Sequence, residues 1–408
     1  MKQLLLRKRN IFLLLIPLGI FFTYLAKSNP YIAEKVFANG IYKWLSQGMG
    51  LLTGWIPFSL MEFIIIVGPI TVLVLIIRQI VRVLKVKHPV YDMEQSHRTT
   101  VAVKSVGEQR FLLIMTMLQN LLCLISVVFF GYVLLCGVNY HRYPVAHHLG
   151  LVVENSSVEE LEGILIELAD KAAELRAKLT SEDERGVYVL PYSERELGGK
   201  AKKAYEVLAE EYPVFSGLYP VPKHVFFSRL MSYTEITGVF TPWTMEANVN
   251  IDISPYSIGA TMCHELAHLR GFMREDEANY IAYRACMASD SLDLQYSGTM
   301  LALIHTGNAL YGKDAEKYYA IYREHYSEAV SRDLVANNEY WDQFEKPIVG
   351  ETSVADIAEK VNDTYLKIND QSDGTQSYGR MVDLLLAEYK QRQNKPNEMM
   401  DQCDTVIK

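Results

Sequence analysis

Cysteine is scarce in this 408-residue sequence: there are five, Cys123, Cys136, Cys263, Cys286 and Cys403, and no CxxC occurs. That argues against a cysteine-ligated zinc site, a thioredoxin-like redox pair and a disulfide-dense scaffold. Cys263 stands next to a motif histidine, but a small buried side chain is its expected role. Internal repeats and low-complexity linkers are lacking too. With half of its residues hydrophobic, the chain is not expected to be generally disordered. Positive charge is what the second half lacks. Residues 139–408 carry 26 Lys/Arg against 43 Asp/Glu, a net of −17. Residues 1–138 carry 14 against 5, a net of +9, and the two sum to −8. An acidic second half excludes nucleic acid as an expected partner, because phosphate binding needs clustered Lys/Arg.

What the chain does contain, first of all, is apolar length. Residues 11–26 are uncharged and follow Lys2, Arg7, Lys8 and Arg9; residues 56–77 hold only Glu62; residues 111–138 hold no Asp, Glu, Lys or Arg. A helix needs about 20 residues to cross the hydrocarbon core, so the reading is a membrane domain over 1–138 with three transmembrane helices in the lipid bilayer. The first run could also be a signal peptide, but no small-x-small cleavage site follows it, and a retained helix is expected. The N-terminus supplies four Lys/Arg and the loop 78–110 seven. The other flanks offer Lys27, Lys35, Lys43 and Arg142. Eleven against four places the N-terminus in the cytoplasm of an integral plasma membrane protein and everything after Val138 outside the cell. The stretch 29–55 has a helical apolar pattern suited to lying along the outer interface, with Glu62 at headgroup level.

Residues 139–393 read as a globular domain rich in helices with few strands, and 394–408 as a frayed polar tail. Ser157 and Glu160 form a capping box opening a helix to about Leu179. Segments 186–190 and 221–227 look like short strands, and 237–251 like one or two extended strands. Helices are expected from Ser257, over 299–310, 315–336, 353–369 and 378–393.

The decisive string is Cys263-His264-Glu265-Leu266-Ala267-His268, an HExxH. Residues four apart on a helix differ by about 40° around its axis, so both imidazoles face one point and can share a Zn²⁺. Glu265 lies too far round the helix to be a ligand, but it can take a proton from a water at the open position. Apolar neighbours (Ile258, Met262, Leu266, Ala267, Leu269) imply a buried site, and the preceding β-like segment suits an edge strand for an extended substrate. Gly271 can end the helix in a left-handed conformation. A second helix near Arg274 could then return a carboxylate to the metal. Glu275 and Glu277 stand about 200° apart, so only one can do so. Glu275 is favoured, because Asn279 shares its face and could hydrogen-bond a ligand histidine. Glu277 is the alternative, and Asp276 a solvated or capping acid.

HExxH followed by Glu275-x-x-Ala278-Asn279 resembles the gluzincin branch of the zincin metallopeptidases. The chain as a whole is similar to an uncharacterised bacterial family of membrane-anchored zincin-like proteins. The matching features are the three spans, Ile56-Pro-Phe-Ser59, 238–250 with Glu246-Ala-Asn248, 264–279, Tyr296-Ser-Gly298 and Tyr365-Leu-Lys367. Together they cover about residues 10 to 390. Six residues separate His268 from Glu275, fewer than gluzincins usually have. Arg274, which cannot bind a metal, occupies the metzincin third-ligand position. The resemblance implies an α-helical membrane anchor with three transmembrane helices, followed by a mainly α, α+β zincin-like extracytoplasmic domain.

The expected chemistry is peptide hydrolysis of a peptide or protein substrate near the outer membrane surface. His264, His268 and Glu275 would hold Zn²⁺ and Glu265 would act as general base. Tyr296, Tyr378 and Arg380 are candidate oxyanion donors, each with packing as its plainer role. His147 and His148 are expected in a solvated loop. The competing class is a non-catalytic sensor or assembly protein with a zincin fold and a structural zinc, for which an intact Glu265 has no evident use.

Overall fold

A computed structural model describes residues 8–87, 90–92, 102–344 and 353–406. Lys2, Arg7 and Arg98, counted above among the orienting charges, lie outside the described residues. The described residues are mostly helical and include one small three-stranded sheet, one two-stranded hairpin and three helices long and apolar enough to cross a membrane.

The first of these helices, α1 (Lys8–Ser28), is followed by a π-helical segment (Ala33–Tyr42) and α2 (Lys43–Gly54). The second, α3 (Leu60–Leu84), starts where the Ser59 hydroxyl accepts the Glu62 amide. It therefore begins later than residue 56 and runs through Arg78 and Arg82, residues that extend a helix readily. A hairpin of β1 (Val90–Asp92) and β2 (Ala102–Lys104) leads to the third, α4 (Val106–Leu135), opened by a Ser105–Glu108 capping box. This helix stops at Leu135 rather than 138, because residues Gly137–His141 tighten into a 3₁₀ turn.

The stretch 29–55 does more than line a surface. Glu34, Phe37 and Tyr42 are buried, and Arg142 donates to both Glu34 carboxylate oxygens, at 2.9 and 2.7 Å. Glu62 accepts the backbone amides of Phe226 and Phe227, each at 2.8 Å, so it joins the second candidate span to the second half. Glu246 accepts the amides of Leu60 and Met61 in the same way. Tyr42, Leu135 and Cys136 enter one hydrophobic core with residues as distant as Ala387, and packing does not stop at residue 139.

In the second half, α5 (Val145–Leu149) precedes α6 (Val158–Lys178), whose Ser157–Glu160 capping box is formed as expected, and α7 (Glu194–Glu211). The sheet has the order β3–β5–β4: β3 (Lys223–His224) is parallel to β5 (Glu246–Val249), and β4 (Gly238–Thr241) pairs antiparallel with β5 in the register Gly238–Val249 to Thr241–Glu246. A single turn, α8 (Ser228–Ser232), lies between β3 and β4. Three helices, α9 (Pro255–Leu269), α10 (Glu275–Ala288) and α11 (Leu292–Lys313), form the centre. The sheet lies on α9, α6 against α11, and α7 across α9 and α10.

The expected helix over 315–336 is two, α12 (Ala315–His325) and α13 (Glu328–Asp342), because the Ser327 hydroxyl accepts the Val330 amide and caps a new start at Glu328. After α14 (Val354–Ile368), α15 (Met381–Val406) continues past residue 394, where fraying was expected.

Candidate metal centre

Pro255 at the first turn starts α9, and its apolar positions bury it against the sheet. At its far end Gly271 takes φ +84°, its amide bonding the His268 carbonyl while the Phe272 amide bonds that of Ala267. That left-handed residue turns the chain back within a few residues, so α10 opens with Glu275 beside the last turns of α9.

His264 and His268 each have Nδ1 engaged, by the Asn279 side-chain oxygen and the Phe272 carbonyl oxygen respectively, both at 2.7 Å. Both partners are acceptors, so each ring keeps a proton on Nδ1 and turns Nε2, the donor atom of the neutral ring, toward the site. The two Nε2 atoms face each other at 3.0 Å, with Glu275 Oε2 at 3.1 Å from one and 3.4 Å from the other. The three side chains form a group of donors within 4.8 Å of one another. Three converging electron-pair donors fit a cation: two ligands at about 2.0–2.1 Å from a tetrahedral zinc lie about 3.3 Å apart. The donor set, two imidazoles and one carboxylate, is one that zinc accepts.

Electrostatics agree with a site made for positive charge. Burial opposes ionisation of Glu275, yet the adjacent His268 and His264 rings hold its carboxyl well below the usual carboxylate range. Burial likewise disfavours the His268 imidazolium, but Glu275 and then Glu265 outweigh it and raise the group to about 9. Glu265 behaves differently. Burial pushes its carboxyl up to about 7, against the opposing pull of the two imidazoles and the Phe240 amide. Its Oε2 is buried without a hydrogen-bond partner among the described residues. The carboxylate lies flat against β4, where a Cβ on Gly238 would fall 2.3 Å from Glu265 Oε1.

Glu277 points elsewhere: it accepts the Val145 amide at 3.0 Å and pairs with Arg274 at 2.8 Å, pinning α5 to α10. Asp276, expected to be solvated or to cap the helix, is largely buried and faces Arg380 at 4.0 Å. Arg380 also pairs with Asp373 at 3.0 Å. Tyr296 is fully buried and donates to Asp333 at 2.6 Å, a packing role. The side chain of Tyr378 lies outside the described residues. The pair expected in a solvated loop sits on α5 instead: His147 stacks on Tyr143 with ring centroids 4.6 Å apart, and His148 approaches Glu34 at 3.4 Å. Cys263 is buried, its sulfur 3.6 Å from that of Cys286.

The donors open into a cleft of about 830 Å³, walled by 235–240 of the sheet, by Tyr140 and Met273, by His305 of α11 and by Val361 and Tyr365 of α14. In the order β3–β5–β4 the strand β4 is an edge, and it borders this cleft. His305 is the residue that sequence reasoning overlooked. Burial lowers its imidazole to about 4 and keeps it neutral. It belongs to no motif and lies about 40 residues beyond the HExxH helix; a lone histidine after the apolar run 300–304 was the one signal available.

No curated protein and no solved structure matches this chain significantly. A family model described as a protein of unknown function, DUF3810, matches residues 37–386, and the chain belongs to that family.

Proposed function

We propose that this chain is a membrane-anchored zinc metallopeptidase with a zincin-like second half. The observation that carries the reading is the meeting of His264 Nε2, His268 Nε2 and Glu275 Oε2 beside the buried Glu265 carboxyl in one cleft. A bound zinc would supply Lewis acidity, polarising a peptide carbonyl and making water a nucleophile near neutral pH.

The chain's own groups do the rest. Asn279 and the Phe272 carbonyl hold the two rings in the tautomer that presents Nε2. Glu265 takes the proton of the attacking water and passes it to the leaving amine, a task suited to a carboxyl near neutrality. The edge of β4 offers main-chain groups to an extended peptide, and neutral His305 offers a donor to the developing oxyanion. The sequence of edge strand, HExxH helix and glutamate helix is the support for a zincin-like fold. The Lys/Arg excess at the N-terminus and middle loop supports a cytoplasmic N-terminus and an extracytoplasmic site.

The test uses the full chain purified in detergent. Elemental analysis should find stoichiometric zinc in the native protein and in Glu265→Gln, and none in His264→Ala. Peptide-library turnover should be confined to the native protein. A native protein without zinc overturns the proposal. Zinc in both with turnover in neither replaces it by the non-catalytic, zinc-holding anchor.

A further inference from the structure

The second half carries a set of exposed apolar side chains that are not scattered. Phe226 and Phe227 precede α8 and Leu230 lies within it, with Phe226 79% and Leu230 64% exposed. Trp243 stands at the β4–β5 turn, and Ile368 at the end of α14 is 77% exposed. Single exposed apolar residues need no explanation, but a clustered set does.

What unites these residues is where they are tied. Glu62, in the first turn of α3, accepts the Phe226 and Phe227 amides. The Trp243 ring lies over Gly131 of α4, so closely that a Cβ there would sit 2.5 Å from the indole. Beside Ile368, Asn369 accepts the Tyr132 hydroxyl of α4 at 2.7 Å, and Asp370 pairs with Lys27 of α1 at 2.7 Å. The attachment points are the C-terminal end of α1, the N-terminal end of α3 and the C-terminal end of α4. In a chain that crosses three times, these are the ends on one side of the bilayer. Gly131 lies a full turn inside the end of α4.

We infer that Phe226, Phe227, Leu230, Trp243 and Ile368 form an apolar collar seated in the leaflet on that side. Trp243 sits at headgroup level, as tryptophans at membrane interfaces do, and the phenylalanines sit among the upper acyl chains. The occupant is lipid because the collar residues are tied at the same-side ends of the three candidate spans, whose own exposed surface is apolar. The metal cleft shares this rim through Tyr140, Pro242 and Tyr365. If the proposed peptidase reading holds, the favoured substrates are polypeptides tethered in the same membrane and cut close to its surface. The collar itself does not depend on that reading.

The test is photolabelling of the full chain in phosphatidylcholine nanodiscs containing a phospholipid with a diazirine near the glycerol end of its acyl chain. Adducts should map to the three spans and also to peptides containing 226–230, 243 and 368. These should exceed those at Tyr311 and Tyr319, about half exposed on α11 and α12, by about tenfold, the preference that burying one phenylalanine favours. The double variant Phe226→Asp/Leu230→Asp should lose the loop adducts and keep those on the spans. Adducts confined to the spans, with 226–243 and 368 no richer than Tyr311 and Tyr319, overturn the inference. So do cross-links from these residues to a second protein chain in place of lipid. Peptidase activity plays no part in the readout, so failure here is distinct from failure of the proposed function.

Discussion

The hydroxyl of Tyr42 donates to the His268 carbonyl at 3.0 Å and also approaches that of Leu269, at 3.2 Å. A residue from the stretch between the first two candidate spans thus closes the last turn of the helix that bears both motif histidines. Carbonyls at a helix end have no partner within the helix, and here the single proton of a buried phenol reaches the last two, that of His268 also accepting the Gly271 amide. Tyr42→Phe should cost about 1–2 kcal/mol, the loss of one buried partner. Thermal unfolding of the full chain in detergent checks this, with zinc affinity falling in parallel because the same turn carries Phe272 and its bond to His268.

Asn279 holds the His264 ring through Nδ1. Asn279→Ala leaves the ring without its 2.7 Å partner and free to turn or change tautomer. Zinc affinity should fall about 10- to 100-fold, as when partners of ligand histidines are removed elsewhere. Chelator competition reads this directly, and Glu265→Gln, which removes a nearby charge but no ligand bond, should lower the affinity far less.

Gly238 is set by the space Glu265 occupies. In Gly238→Ala the new methyl would lie 2.3 Å from Glu265 Oε1 and 2.8 Å from its Cδ, so the carboxylate must move. Zinc content should stay stoichiometric while kcat on any cleaved peptide falls by about 100-fold, the scale of a displaced general base. Unchanged kcat would show that Glu265 does not work from this position.

Glu34 predicts a pH dependence of stability. Burial opposes its ionisation, but His148 and the two-pronged Arg142 pair hold its carboxyl well below its ordinary value of 4.5. The unfolded chain therefore binds this proton more readily than the folded one. The stabilisation is complete above about pH 4.5 and is lost as the pH falls below it toward the folded value. Urea unfolding between pH 7 and 3 should show that loss. Glu34→Gln should remove much of the slope and cost about 3–5 kcal/mol at pH 7, since it strands the buried Arg142.

The residues that were legible in advance are those whose signal is local. Ser157 and Glu160 cap a helix because three positions of one turn decide it, and His264 and His268 converge because they are four apart on one helix. Asn279 could be named because the spacing from Glu275 put both on one face of α10. Helix ends were less legible: Ser59 and Ser327 each start a helix by a cap that hydropathy does not register.

By itself the sequence determined three apolar lengths sufficient for a bilayer, the charge contrast between the halves, the HExxH helix and the brevity of the turn after it. Tertiary structure decided which carboxylate meets the imidazoles, sending Glu275 to them and Glu277 to Arg274 and the Val145 amide. It also decided that Tyr42 supports α9, that Glu62 binds a loop of the second half, and that His305 faces the cleft. The reason is physical: a periodicity or a cap is settled within a few residues. Contacts between elements depend instead on the angle at Gly271 and on how whole helices pack, which no short window of sequence encodes.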